Sequence, residues 1–241
     1  MDGMERIPLN TTATRFGRLP ESIFIPIREP GSAFTHAIAL MLTLIGAGPL
    51  LLKARICGSS ATEASMGVFL ISACLLYAAS TAYHSVVGNK KMTERLRRID
   101  HMSISILIAG TYTPICLTAL KGRTGYALLA AIWILAVIGI IFKAVWYTCP
   151  RWISSLLYLV MGWLCMAALP AILHALPLGA FIWLLLGGVL YTAGAVIYAL
   201  KLSRFNARHL YFGSHEIFHC FIMAGTLCHY VVMFGYVSMI G

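Results

Sequence analysis

Charge is what this chain has least of. Lys, Arg, Asp and Glu together make up 11% of its 241 residues, and only eight of them are acidic. A soluble domain carries about 25% charged residues. Hydrophobic residues take 60%, against a usual ~45–50%. That shortage excludes a soluble globular fold, because no core of this size hides so much apolar surface. It also excludes a disordered chain, which needs a polar composition. The seven cysteines include no CxxC pair, are odd in number and lie mostly in apolar runs. They read as small buried hydrophobes rather than a disulfide framework. The polar N-terminus lacks an apolar h-region, so no cleaved signal peptide is expected. No internal repeat is visible. The formal net charge of +10 comes with no nucleic-acid motif, so no nucleic-acid partner is expected.

What is present instead is apolar sequence along the whole length, with a mean hydropathy of +0.85. Seven runs are long enough to cross a ~30 Å hydrocarbon core as helices: roughly 33–53, 64–87, 99–119, 125–147, 153–173, 179–200 and 213–236. The expected fold is an all-α integral membrane protein, a seven-transmembrane helix bundle over residues 29–241 behind a polar tail of residues 1–28. Seven spans place fourteen of the eighteen Lys and Arg on the side of the N-terminus, Lys143 and Arg151 around the fourth loop among them, and four on the other. The positive-inside rule then puts the N-terminus in the cytoplasm and the C-terminus outside. The basic residues face anionic lipid.

An ionisable side chain near the bilayer centre costs ~2.5–3.5 kcal/mol on insertion scales, so the placement of such residues carries functional information. Glu29, His36, His84, Asp100, His215 and His219 all fall in the cytoplasmic leaflet, on four helices. The topology that puts them there rests on Lys and Arg alone. His215 and His219 are spaced i, i+4 and share one helical face, the spacing with which two imidazoles bind one metal ion. Ser80 and His84 repeat the spacing. Three histidines and a carboxylate suffice for a tetrahedral zinc site with one position left to water. His101 points about 100° away from Asp100 and reads as an interface residue, and His174 and His209 fall in loops. His229 is fourteen residues after His215, about 21 Å along a helix, too far to share an ion. It reads as a buried polar residue of the outer leaflet.

These residues carry a family pattern. Glu29-x-x-Ser32-x-x-x-His36 leads into the first span, Ser80-x-x-x-His84 is followed by Asp100 opening the third, and His215-x-x-x-His219 opens the seventh. The run from Asp100 to Gly110-Thr111-Tyr112-Thr113-Pro114 matches as well. Over residues ~29 to 236 the sequence resembles the hemolysin III group of bacterial membrane proteins, within the adiponectin and progestin receptor superfamily. Ser32 departs from the pattern, where members often have Asn. The resemblance implies a bacterial inner-membrane protein with a zinc ion (Zn2+) on His84, His215 and His219. It also implies that Asp100 holds the water at the metal and that Ser80 lies close by. Receptor members are linked to hydrolysis of lipid amides such as ceramide. The bacterial group carries a hemolysin name and looks tied to membrane lipid homeostasis.

The chemistry agrees with that resemblance. Zinc with an open position acidifies water and polarises a carbonyl. Asp100 can accept the proton, and Ser80 can hydrogen-bond the substrate or a developing oxyanion. The leading expectation is therefore a zinc-dependent hydrolase of lipid amides or esters, with membrane lipids as partners and a cavity inside the bundle. A zinc-stabilised receptor or sensor, a pore-forming cytolysin and an intramembrane protease are the alternatives. The last arises because His215-Glu216-Ile217-Phe218-His219 reads as HExxH, with Glu216 as general base. Glu216 is instead expected to pair with a loop cation such as Arg208 or to favour the helix N-terminus by its charge.

Overall fold

The structure is a computed structural model and describes residues 27–209 and 212–240. The tail of residues 1–28 therefore lies almost wholly outside the described residues. The described residues are mostly helical, joined by short connections, with no strand among them. Seven helical stretches are long and apolar enough to cross a membrane: Pro30–Cys57, Ser60–Ser85, Lys90–Ala119, Arg123–Val145, Arg151–Ala175, Leu178–Leu200 and Ser214–Met239. In chain order the α-helices are α1 (Pro30–Cys57), α2 (Ser60–Ser85), α3 (Lys90–Pro114), α4 (Arg123–Val145), α5 (Arg151–Gly162), α6 (Leu169–Ala175), α7 (Leu178–Leu200), α8 (Ser203–Arg208) and α9 (Ser214–Gly235). All seven spans correspond to the expected apolar runs.

The helix starts are chemically marked. Pro30 opens α1, where its missing N–H costs nothing. Ser59 accepts the Thr62 N–H at 3.2 Å and Asn89 accepts that of Met92 at 2.9 Å, so both act as N-caps. The Asn89 cap places the start of α3 at Lys90 and makes a helix of Lys90 to Arg98, a stretch the charges mark as loop. Its first turns are polar; the apolar part begins near Ile99. The fifth span is broken for an equally local reason. Pro170 cannot donate to Met166 and its ring crowds that carbonyl, so the helix tightens into a 3-10 stretch over Trp163–Ala168 before α6 resumes. The Tyr112 hydroxyl covers this break. It donates to the Gly162 carbonyl at 2.6 Å and accepts the Cys165 N–H at 3.0 Å.

Small residues set the helix spacing, as expected where lipid supplies no hydrophobic contrast. A Cβ on Gly110 of α3 would lie 2.1 Å from Ser72 Oγ of α2, and one on Gly225 of α9 would lie 2.4 Å from the Tyr191 ring of α7. α2 packs between α1 and α3, and α9 packs against α7 and α1. Exposed apolar side chains such as Leu42 and Ile45 on α1 and Val137 and Ile141 on α4 form the lipid-facing surface. Because successive spans run antiparallel, the start of α1, the end of α2, the first turns of α3, the end of α4 and the starts of α5 and α9 meet at one end of the bundle. Every candidate site residue is there.

Candidate metal centre and cavity

His84 lies in the last turn of α2, and His215 and His219 in the first turns of α9. One ligand nitrogen from each lies within 4.8 Å of the other two, and they are the one such set of three or more among the described residues. The nitrogens face one another because their ring partners are already chosen. Thr35 Oγ1 donates its single proton to the Ser32 carbonyl at 2.9 Å, so at 3.0 Å it accepts from His219 Nδ1. The lone pair of His219 is then on Nε2. Glu29, at the N-cap of α1, accepts from His84 Nδ1 and leaves the Nε2 lone pair free in the same way. Carboxylate and hydroxyl partners of this kind fix ligand histidines in metal sites. His84 Nε2 and His215 Nε2 lie 3.3 Å apart, the separation that two ~2.05 Å bonds to one tetrahedral zinc would give, about 3.3 Å. The donor set fits a metal of the zinc class.

Glu29 lies at the aqueous edge. His84 holds its carboxyl below the usual carboxylate range by hydrogen bond and charge, and Arg28 adds to this against the opposing effect of partial burial. Arg28 Nε is 3.4 Å from Glu29 Oε1 and its guanidinium lies 4.0 Å from the centre of the Tyr83 ring.

All of the first sequence motif reaches the site. Glu29 holds His84. Ser32 donates to Glu216. His36 stacks on His219 with ring centres 3.6 Å apart; it is buried, and both its ring nitrogens lack partners. Glu216 differs from the metalloprotease reading. Besides Ser32, it accepts the Gly213 N–H at 2.8 Å, a cap of its own helix. Among the described residues its partners are these, not Arg208, and its helix-end reading is the one that fits. Asn206 of α8 accepts the Ser214 N–H at 2.7 Å, so the short helix also positions the start of α9.

Asp100 and Ser80 are buried, 7% and 1% exposed. Both line a cavity of about 260 Å³ together with His215 and His219. Asp100 is not in the set of converging ligand atoms; its side-chain hydrogen-bonding neighbour is Ser80, one turn before His84 on α2. Away from this polar end the cavity runs between apolar side chains such as Leu107, Leu128, Ile172 and Phe181 to His229. His229 lies against Gly187, where a Cβ would be 2.8 Å from Nε2, and 5.3 Å from the Tyr191 ring. It lines the same cavity and does not belong to the metal centre.

Three sequence expectations need correction. His101, read as an interface residue, lines the cavity, because the helix begins at Lys90 and packs more of its circumference into the bundle than a span starting at Ile99 would. His174 lies in the last turn of α6 rather than in a loop. Lys143, counted among loop cations, is 1% exposed and inside α4. Thr35 had no signal in sequence beyond its place between Ser32 and His36.

Comparison with known proteins agrees with this fold. The pattern of the family described as Haemolysin-III related matches residues 24–230. The chain is 36% identical over 208 residues to the Hemolysin-3 homolog of Bacillus subtilis, covering 86% of this chain and 93% of that one. It is 36% identical over 211 residues to Hemolysin-3 of Bacillus cereus, covering 87% and 91%. The Adiponectin receptor protein of Drosophila melanogaster is 25% identical over 226 residues, covering 87% of this chain and 51% of the receptor. No solved structure matches. With seven apolar helices and Bacillus relatives, this is a multi-pass integral protein of the bacterial plasma membrane. The chain belongs to the haemolysin III family, within the superfamily of the adiponectin and progestin receptors.

Proposed function

We propose that the chain is a zinc-dependent hydrolase of lipid amide or ester bonds, its site in the cytoplasmic leaflet. One observation carries this reading: the imidazoles of His215 and His219, which converge with that of His84, stand with a buried carboxylate and a buried hydroxyl at one end of a cavity whose walls are largely apolar. His84, His215 and His219 would hold the ion. Zinc bound there supplies Lewis acidity towards a carbonyl and a more acidic water. The chain supplies the rest. Asp100 takes the proton of the attacking water. Ser80, buried beside Asp100, turns its hydroxyl proton to the substrate oxygen as charge develops. Glu29 and Thr35 hold two imidazoles in the tautomer that offers Nε2. The apolar walls exclude water and orient an acyl chain towards the polar end.

The same arrangement weakens two rivals. A pore would need a continuous polar path, and the cavity runs between apolar side chains such as Leu107, Leu128, Ile172 and Phe181. A protease would need Glu216 as base, and Glu216 is engaged by Ser32 and Gly213. A receptor or sensor, as the name of the Drosophila relative indicates for that protein, would use the same metal and cavity without turnover. The test is hydrolysis of a long-chain lipid amide by the purified chain, with zinc measured on the same samples. Asp100→Asn is expected to keep zinc and lose turnover by about 100-fold or more; Glu216→Gln is expected to keep both. Glu216→Gln inactive beside active Asp100→Asn would hand the site to the protease reading. Zinc-loaded wild type without turnover would favour the sensor.

A further inference from the structure

Lys143 is the other buried charge of the cavity, and nothing above uses it. It lies in the last turn of α4 and is 1% exposed, so it does not snorkel out of the bundle as lysines near helix ends do. Its Nζ donates to Ser154 Oγ, in the first turn of α5, and to Cys149 Sγ at 3.0 Å. The Phe142 ring centre is 5.8 Å away. Those contacts are neutral. Among the described residues no carboxylate lies within ion-pair distance of Nζ. An ammonium has three protons to donate, and two are accounted for. Lys143, Ser154 and Ser155 line the same cavity as Asp100, His215 and His219.

A buried ammonium without a counter-ion is expensive in a protein interior and more so inside a bilayer. The chain does not offset that cost with an acid, although α5 could carry one at Ser154 or Ser155. A partner can come from outside, through the cavity that Lys143 lines. It must be anionic, reach Lys143 through the cavity, and bring apolar substance for the cavity's walls.

We propose that Lys143, with Ser154, is an anion anchor: it binds the ionised oxygen of an acyl-chain lipid, a carboxylate or a phosphate, whose chain occupies the cavity. This rests on the cavity as an acyl site, as in the function proposed above, but requires neither zinc nor turnover. It makes the protein selective for anionic over neutral lipid.

Trp163 lines the cavity, so a brominated acyl chain entering it quenches tryptophan fluorescence. The probes are dibromostearate and its methyl ester, titrated into the purified full chain in one detergent. A second pair, lysophosphatidate and monoacylglycerol carrying the same chain, separates a phosphate source from a carboxylate source. Wild type is expected to bind the acid, the phosphate, or both at least tenfold more tightly than the matching neutral lipid. Lys143→Met is expected to abolish that preference while still binding the neutral lipid. Ser154 and Cys149, 3.2 Å apart, can still bond each other in that variant. Lys143→Arg is expected to keep part of the preference. Equal binding of acid and ester, and of phosphate and glycerol lipid, by wild type overturns the proposal without need of any variant. So does a preference that survives Lys143→Met, or an absence of quenching by every probe. Lack of hydrolysis or of zinc bears only on the function proposed above.

Discussion

The two ends of the bundle are built from the same apolar composition and solve opposite problems. At the far end Leu50, Met66, Phe69, Ile115, Val232 and Val237 belong to one continuous packed cluster. Polar groups there are answered locally: Thr62 Oγ1 donates to the Ile240 carbonyl at 2.7 Å and Lys53 Nζ to that of Phe234 at 2.8 Å. At the metal end the chain buries His36 and Lys143 and leaves polar capacity unused on both, since neither ring nitrogen of His36 has a partner and Lys143 Nζ has two acceptors for three protons. An unsatisfied buried polar group costs ~1–3 kcal/mol. One end is thus arranged for stability, and the other keeps groups in reserve for a ligand. His229 and Ser105 are the exceptions, with buried polar atoms lacking partners deeper in the bundle.

Substitutions that separate stability from metal binding sharpen this contrast. The largest effect on stability is expected from Phe69→Ala at the packed end, about 3 kcal/mol from the cavity it leaves. It should appear as a lowered midpoint of thermal unfolding in detergent, with metal content of the folded protein unchanged. Loss of metal from that variant would break the division between the ends. At the metal end, Glu29→Gln removes the carboxylate from His84 and is expected to weaken metal binding by ~10–100-fold, read by competition with a zinc chelator. Thr35→Val should act in the same direction and lie near the lower limit of that range, since a neutral hydroxyl holds His219 less firmly than a carboxylate holds His84. The smallest effect is expected from Ser32→Ala. Glu216 keeps its Gly213 bond, so unfolding should shift by ~1 kcal/mol or less with no change in metal content. A metal loss from Ser32→Ala equal to that from Glu29→Gln would mean that Glu216 belongs to the centre after all.

The fold was legible because hydropathy is a one-dimensional signal: seven apolar runs map onto seven spans. Boundaries were less so wherever a local bond decides them. The Asn89 side chain starts α3 well before its apolar part, and Pro170 breaks a run that looks uniformly apolar. The candidate site was legible through helical spacing, since His215 and His219 must share a face wherever α9 sits. Charge counting misplaced Lys143, and helical angle alone misplaced His101. Each lies near the end of a span, where exposure depends on which way the helix is turned, and that is set by packing against neighbours. Glu216 shows the reverse: its motif suggests catalysis, and its hydrogen bonds belong to a helix end.

The central claim is that His84, His215 and His219 hold one metal ion. Metal analysis of the purified protein tests it most directly, with His84→Ala, His215→Ala and His219→Ala beside wild type. About one zinc per chain is expected in wild type, falling towards zero in each variant while far-UV circular dichroism stays helical. Wild type without stoichiometric metal, or three folded variants that all retain it, would contradict the claim.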